Sequence, residues 1–180
     1  MKIGVVSDSH KNLAYLRKAI ELIIEKGAEC IIHLGDDYGD AEILKEYPIR
    51  SLRVPGVFCP EYFNKGIKNR IIEEISGVKI LITHTVSSHK NDQREDLVPE
   101  DVIRNKEVDL VLFGHTHLYE IKKDGDILMF NPGHLQEIMT KGRSATFGIV
   151  EIIDKGITCT VFDLEGNLKL ETKFLQITKI

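Results

Sequence analysis

The sequence predicts an α/β fold in which two β-sheets pack face to face with helices on the outside. Three observations carry this. The chain opens with a strand, helix, strand, helix, strand pattern, the signature of parallel βαβ units. A hairpin and a further buried strand follow. The last third is rich in strands separated by turn residues. At 180 residues the chain suits one domain, 1–180, long enough to bury most of its apolar surface.

The elements follow from local pattern. Ile3 to Val6 reads as a short buried strand, with Ser7-Asp8-Ser9-His10 leaving its carboxyl end. Asn12 is an N-cap for a helix whose apolar residues are Leu13, Leu16, Ile20, Ile23 and Ile24, and Gly27 closes it. Cys30 to Leu34 is a second buried strand that ends in Gly35-Asp36-Asp37. A shorter helix from about Asp40 to Tyr47 stops at Pro48, and Ile49 to Val54 is a third strand. These runs are read as the near-continuous apolar strands of a parallel sheet, in which ligands bind beyond the carboxyl ends.

Cys59 to Asn69 shows no period and reads as loop. Arg70 to Ile75 and Val78 to Thr83 form a hairpin through Ser76-Gly77, and the second strand delivers His84. Thr85 to Leu97 is a long polar loop, hence a candidate substrate-facing segment. Pro99 opens a helix running to about Lys106. The apolar run Val108 to Phe113 then leads into Gly114-His115-Thr116-His117. Leu118 to Lys123, Ile127 to Phe130, Thr146 to Ile153, Ile157 to Asp163 and Leu168 to Leu175 complete the strands. The turns between them are Asp124-Gly125-Asp126, Asn131-Pro132-Gly133, Asp154-Lys155-Gly156 and Glu165-Gly166-Asn167.

A hydrophobic content of 42% with 29% charged residues describes an ordinary globular chain. The net charge of -4 argues against a general duplex-DNA binder. Three widely spaced cysteines, Cys30, Cys59 and Cys159, make no disulfide framework and point to a reducing cytoplasm. No apolar run approaches the ~18 residues of a membrane span. The opening Met1-Lys2-Ile3-Gly4-Val5-Val6 is too short for a signal-peptide core.

Four separate strand ends carry metal-binding residue types: Asp8 with His10, Asp36, His84, and His115 with His117. In extended chain, residues two apart point the same way, so His115 and His117 are expected to face one small volume. Each motif alone reads as an ordinary turn or a solvated histidine. Four in consistent order reverse that reading. Carboxylate with imidazole suits Mn²⁺, Fe, Zn²⁺ or Ni²⁺ better than Ca²⁺ or Mg²⁺ alone. Six ligands exceed what one tetrahedral zinc requires, so a pair of metals sharing one carboxylate uses them better. His33, inside its strand, reads as a core or supporting residue, and His134 and His89 stay open.

In order and spacing, Asp8-x-His10, Gly35-Asp36, His84 and Gly114-His115-x-His117 resemble the calcineurin-like metallophosphoesterase superfamily. The chain is most similar to its small prokaryotic phosphodiesterases and to the retromer subunit that shares their fold. Asn131-Pro132-Gly133 belongs to the resemblance. It implies a four-layer α/β/β/α sandwich and two divalent metal ions, Mn²⁺ first. Asp8, His10, Asp36 and His117 would hold one ion, and Asp36 would bridge to a second held with His84 and His115. The implied activity is hydrolysis of a small phosphate ester, a diester before a monoester, by a metal-activated water, with Asp36 at its centre. The rival reading is a scaffold or binding protein whose catalysis has decayed. A nuclease acting on single strands stays within the same chemistry, with Lys65, Lys68, Arg70, Lys141 and Arg143 offering positive charge near loops. No membrane partner is expected, and a homodimer is compatible with this reading.

One departure matters. After the third strand the family carries Gly-Asn, whose Asn ligates the second metal. Here Gly56 is followed by Val57, which cannot ligate. Cys59 or Glu61 is a candidate replacement ligand. His89 is the candidate to supply the leaving-group proton that the family assigns to a histidine absent here.

Overall fold

The computed structural model describes residues 1–154 and 156–175. The expected Asp154-Lys155-Gly156 turn therefore includes one residue, Lys155, outside the described residues. The strands are β1 (Lys2–Val6), β2 (Cys30–His33), β3 (Arg50–Arg53), β4 (Arg70–Ile75), β5 (Val78–Thr83), β6 (Leu110–Leu112), β7 (Glu120–Asp124), β8 (Ile127–Asn131), β9 (Thr146–Ile153), β10 (Gly156–Asp163) and β11 (Leu168–Leu175). The α-helices are α1 (Leu13–Glu25) and α2 (Pro99–Arg104). None of the described helices is long and apolar enough to cross a membrane.

The strands form two sheets, one in the order β11-β10-β9-β1-β2-β3 and the other β4-β5-β6-β8-β7. Parallel pairing of β1 with β2 and of β2 with β3 follows from the βαβ opening. In the second sheet β5, β6 and β8 run parallel, and the β4–β5 hairpin turns at Ser76-Gly77, both at positive φ.

Three apolar clusters make the layers. Val5, Ile32, Ile80, Leu112, Phe130 and Val161 meet between the sheets. Leu16, Ile20 and Ile23 of α1 cover the outer face of the first sheet against Ile31 and Phe147. Val102 of α2 covers the outer face of the second against Leu81, Val111 and Met129. Strand β8 shows the logic: Leu128 and Phe130 point between the sheets, while Ile127 and Met129 point toward α2. A strand buried on both faces reads as a continuous apolar run. The result is the α/β/β/α sandwich.

The caps of α1 form where the sequence places them: Asn12 Oδ1 accepts from Tyr15 N at 3.2 Å, and Gly27 takes φ +82°. Two members of its expected apolar face, Leu13 and Ile24, are exposed, because the buried stripe is centred on Leu16, Ala19, Ile20 and Ile23. The expected helix at 40–47 is a 3₁₀ helix, Tyr38–Glu46, in which Ala41 and Leu44, three apart, bury on α1. β3 departs from the buried-strand reading. It is the sheet edge, largely solvated, and Arg50 pairs with Glu73 while Arg53 stacks on Tyr38.

Candidate metal centre

The loops after β1, β2, β5 and β6 meet at one end of the sandwich. Asp8 N–H donates to Gly35 O at 2.8 Å and Gly114 N–H to His84 O at 3.1 Å, which ties the four loops in pairs. Five of the six candidate ligands take left-handed backbone: Asp8 (φ 52°), His10 (φ 47°), Asp36 (φ 69°), His115 (φ 68°) and His117 (φ 60°). Asp and His tolerate this region better than most residues, at a cost on the order of 1–3 kcal/mol each. Such strain persists where surrounding contacts impose it.

This backbone corrects the picture of Gly114-His115-Thr116-His117 as extended chain. Thr116 N–H donates to Gly114 O at 2.8 Å in a tight turn, so the two imidazoles diverge. The His117 ring packs on His10 (centroids 4.8 Å) and the His115 ring on His84 (5.1 Å). The turn is anchored by Asn131, whose Nδ2 donates to Gly114 O (2.9 Å) and Thr116 Oγ1 (3.1 Å), while Gly133 N–H donates to Asn131 Oδ1. The role of Asn131-Pro132-Gly133 is thus to hold the histidine turn.

One donor atom each from Asp8, His10, Asp36 and His117 lies within 4.8 Å of the others, the one such group of three or more among the described residues. His10 Nε2 is 2.8 Å from Asp36 Oδ2 and 3.1 Å from His117 Nε2, and His117 Nε2 is 3.3 Å from Asp8 Oδ1. Asp8 is completely buried. Its Oδ2 accepts from Ser7 Oγ and from His115 N, yet Oδ1 has no hydrogen-bond partner. An orphaned carboxylate oxygen facing two imidazoles is what a divalent cation satisfies, so these residues fit a metal. Burial would raise the Asp8 carboxyl, but contact with His117, the field of His84 and the Ser7 hydroxyl together hold it below its ordinary range. His117 is raised in turn, chiefly by Asp8.

Beside this quartet, His84 Nδ1 donates to Leu34 O at 2.8 Å, which turns its Nε2 toward His115 Nδ1 at 3.3 Å. Burial and the neighbouring His84 push His115 below its ordinary value. Two imidazoles turned toward each other also suit a cation. Val57 is completely buried, and no Cys59 or Glu61 atom joins the quartet. The Cys59 thiol donates to the Asp36 carbonyl and burial raises its pKa, so it sits there as a thiol rather than a thiolate. Glu61 is half-buried in a 3₁₀ turn, Pro60–Phe63.

The supporting residues were harder to read from sequence. His33 is fully buried; its Nδ1 accepts from Gly35 N, so Nε2 faces Ser9 Oγ at 3.3 Å, and Ser9 donates to Asp40 Oδ2 at 2.6 Å. Asp40 Oδ2 also accepts from Lys11 N, fixing the Asp8–Lys11 loop from below. The Gln136 carboxamide lies 3.0 Å from His117 Nδ1, which keeps Nε2 toward the quartet. His134, buried beside His117 (centroids 5.8 Å), has an unpartnered Nδ1. No local pattern announces Gln136. The site opens on a groove of about 420 Å³ lined by His10, Lys11, Asn12, Gln136, Glu137 and Ile138.

Residues 1–155 match the calcineurin-like phosphoesterase superfamily domain. The chain belongs to this superfamily. It is 30% identical over 131 residues to the phosphodiesterase MJ0936 of Methanocaldococcus jannaschii, spanning 65% of this chain and 74% of that protein. A predicted phosphoesterase of Streptococcus pneumoniae superposes with a TM-score of 0.70 at 23% identity, covering 97% of each chain. A zinc complex of Vps29 from Entamoeba histolytica superposes with a TM-score of 0.64 at 21% identity, covering 97% of this chain and 99% of its own. At that identity the two structures speak for the fold alone.

Proposed function

We propose that this calcineurin-like phosphoesterase hydrolyses a small phosphate ester, a diester before a monoester, at a site for two divalent cations. The observation that carries the reading is the orphaned, fully buried Asp8 Oδ1 inside the quartet, with the His84–His115 pair beside it. Asp8, His10, Asp36 and His117 would hold one cation; Asp36, His84 and His115 would hold the other, Mn²⁺ being the first choice. When bound, such ions lower the pKa of a coordinated water and offset phosphoryl charge. The remaining work falls to the chain. Lys11 and Asn12 line the groove and offer donors to a phosphate. Asn131 and Ser7 keep His115, His117 and Asp8 in register. With no general acid assigned among the described residues, esters with good leaving groups are expected to react best. The diester preference rests on the M. jannaschii phosphodiesterase.

The test is manganese-stimulated hydrolysis of bis(p-nitrophenyl) phosphate. Asp36→Asn and His117→Ala are expected to lose at least ~100-fold in kcat/KM. Full activity in either overturns the assignment. A second reading, a scaffold with decayed catalysis, is favoured by Val57 at the asparagine position. Less than one metal per chain by elemental analysis, with no turnover, supports the scaffold.

A further inference from the structure

We infer that His89 serves the site as a neutral hydrogen-bond donor to the phosphoryl group, not as a proton donor, and that a buried Arg70–Asp92–Tyr62 cluster holds it there. This rests on the phosphoesterase reading above and adds to it a substrate-binding residue and the device that positions it.

The loop from Thr85 to Leu97 lacks secondary structure of its own, yet it is tied down from within. Arg70, at the start of β4, has a side chain only 1% exposed. Its Nη2 donates to both Asp92 oxygens at 2.9 Å, and its Nη1 to Leu97 O at 3.0 Å. Tyr62 OH donates to Asp92 Oδ1 at 2.6 Å, and Asp92 Oδ2 accepts from His89 N at 2.9 Å. Gln93 Nε2 and Asn69 Nδ2 both donate to Tyr62 O. The loop carrying His89 and the loop carrying Val57 and Tyr62 are therefore one unit, with Asp92 as its centre. Asn91 closes it by donating from Nδ2 to Val57 O at 2.8 Å.

Within this unit the His89 ring has one orientation that matters. Its Nδ1 accepts from Asn91 N at 3.2 Å. A backbone N–H needs a lone pair at that atom, so the ring proton sits on Nε2 and the imidazole is neutral. Giving up the Nε2 proton from that state would leave an imidazolate, a base far too strong to be formed by a weakly basic leaving group such as nitrophenolate. The ring can only lend the proton in a hydrogen bond. One aromatic ring links it to the candidate ligands: Phe58 packs edge-on against His89 (centroids 5.3 Å) and lies 6.5 Å from His115. In the step, a water oxygen bonds phosphorus and gives up one proton to solvent as the ester P–O bond breaks, the leaving oxygen takes a proton from solvent, and His89 keeps its own.

The experiment compares His89→Gln with His89→Ala on bis(p-nitrophenyl) phosphate. Glutamine keeps an N–H donor, so H89Q is expected within about threefold of the wild type, and H89A about tenfold or more below it. If H89Q is as slow as H89A, and the wild type alone shows a basic limb in its pH profile, His89 transfers a proton and the inference fails. Asp92→Asn, close in shape, is expected to fall with H89A, and D92N/H89A no further than H89A alone. Additive losses overturn the positioning role. Should D92N lower Tm by more than ~10 °C, Tyr62→Phe removes one donor from Asp92 and reads the same non-additivity. Independently of turnover, ¹⁵N NMR of the metal-free protein should show His89 protonated at Nε2 and bare at Nδ1. A protonated Nδ1 overturns the inference. A wild type inactive on every ester would sink the phosphoesterase reading, while the ring signature still decides the geometry.

Discussion

Gly114 is the position where one methyl group should disturb the whole centre. A Cβ built there meets Ser7 Oγ at 2.0 Å and Asp8 Oδ2 at 2.7 Å, far inside contact distance. Gly114 is not at positive φ, so Gly114→Ala adds no backbone strain and acts by volume alone. The Ser7 hydroxyl must rotate away and release its hydrogen bond to Asp8 Oδ2, and the carboxylate must shift. Overpacking of this kind costs about 1–3 kcal/mol, and losing a buried hydrogen bond to a charged group costs about as much. Partial relaxation makes a net loss of about 2 kcal/mol the expectation, which is about 4–8 °C in Tm for a chain of this size. Because Asp8 moves, metal affinity should fall about 10–100-fold. Differential scanning calorimetry and isothermal titration with Mn²⁺ read both. Gly39→Ala is the control, since a Cβ there meets nothing within 4 Å. If G114A matches G39A in both measurements, the close approach of the turn to Asp8 does not constrain the site.

Other outcomes follow from the same geometry. Burial holds the His33 imidazole neutral, with its pKa pushed down to about 4, against about 6.5 in an unfolded chain. Stability from this group is complete above about pH 6.5 and is lost as the pH falls toward 4, about 3 kcal/mol in all, because only the unfolded chain takes up the proton. Urea titrations at pH 7 and pH 5 should show the loss, and His33→Gln should flatten it; an equal slope in H33Q would refute the assignment. Saturating Mn²⁺, at about 100 times its Kd, should stabilise the wild type by about 2.7 kcal/mol, an increment that EDTA removes and His117→Ala lacks. Val57→Asn should reverse sign with metal. It buries a polar group for about 1–3 kcal/mol of destabilisation in EDTA, and gains both stability and a second bound Mn²⁺ when metal is present. A Tm that ignores metal in V57N would show that position 57 does not reach the centre.

Much of the fold is legible in the sequence because its causes are local. Asn12 and Gly27 bracket α1, Ser76-Gly77 turns the β4–β5 hairpin, and apolar runs such as Ile127 to Phe130 mark strands buried on both faces. The order of strand ends bearing Asp8, His10, Asp36, His84, His115 and His117 was legible for the same reason, since parallel strands bring their carboxyl ends to one edge. The failures share a cause as well. β3 looks like its neighbours in sequence, but its place at the sheet edge is set by pairing, so its charges face water.

The sequence by itself determined the α/β class, the strand ends that meet, and the residue types available to a cation. Tertiary structure decided how those residues stand. His115 and His117 part company because Asn131, fourteen residues or more away, pins the turn between them. His117 is oriented by Gln136, and His89 by Arg70 through Asp92, contacts that no period or spacing records. A side chain's direction is set by what packs against it, and those partners come from elsewhere in the chain. Asp8 makes the point most plainly: its identity is written in the sequence, but its orphaned oxygen exists only once the sandwich has closed around it.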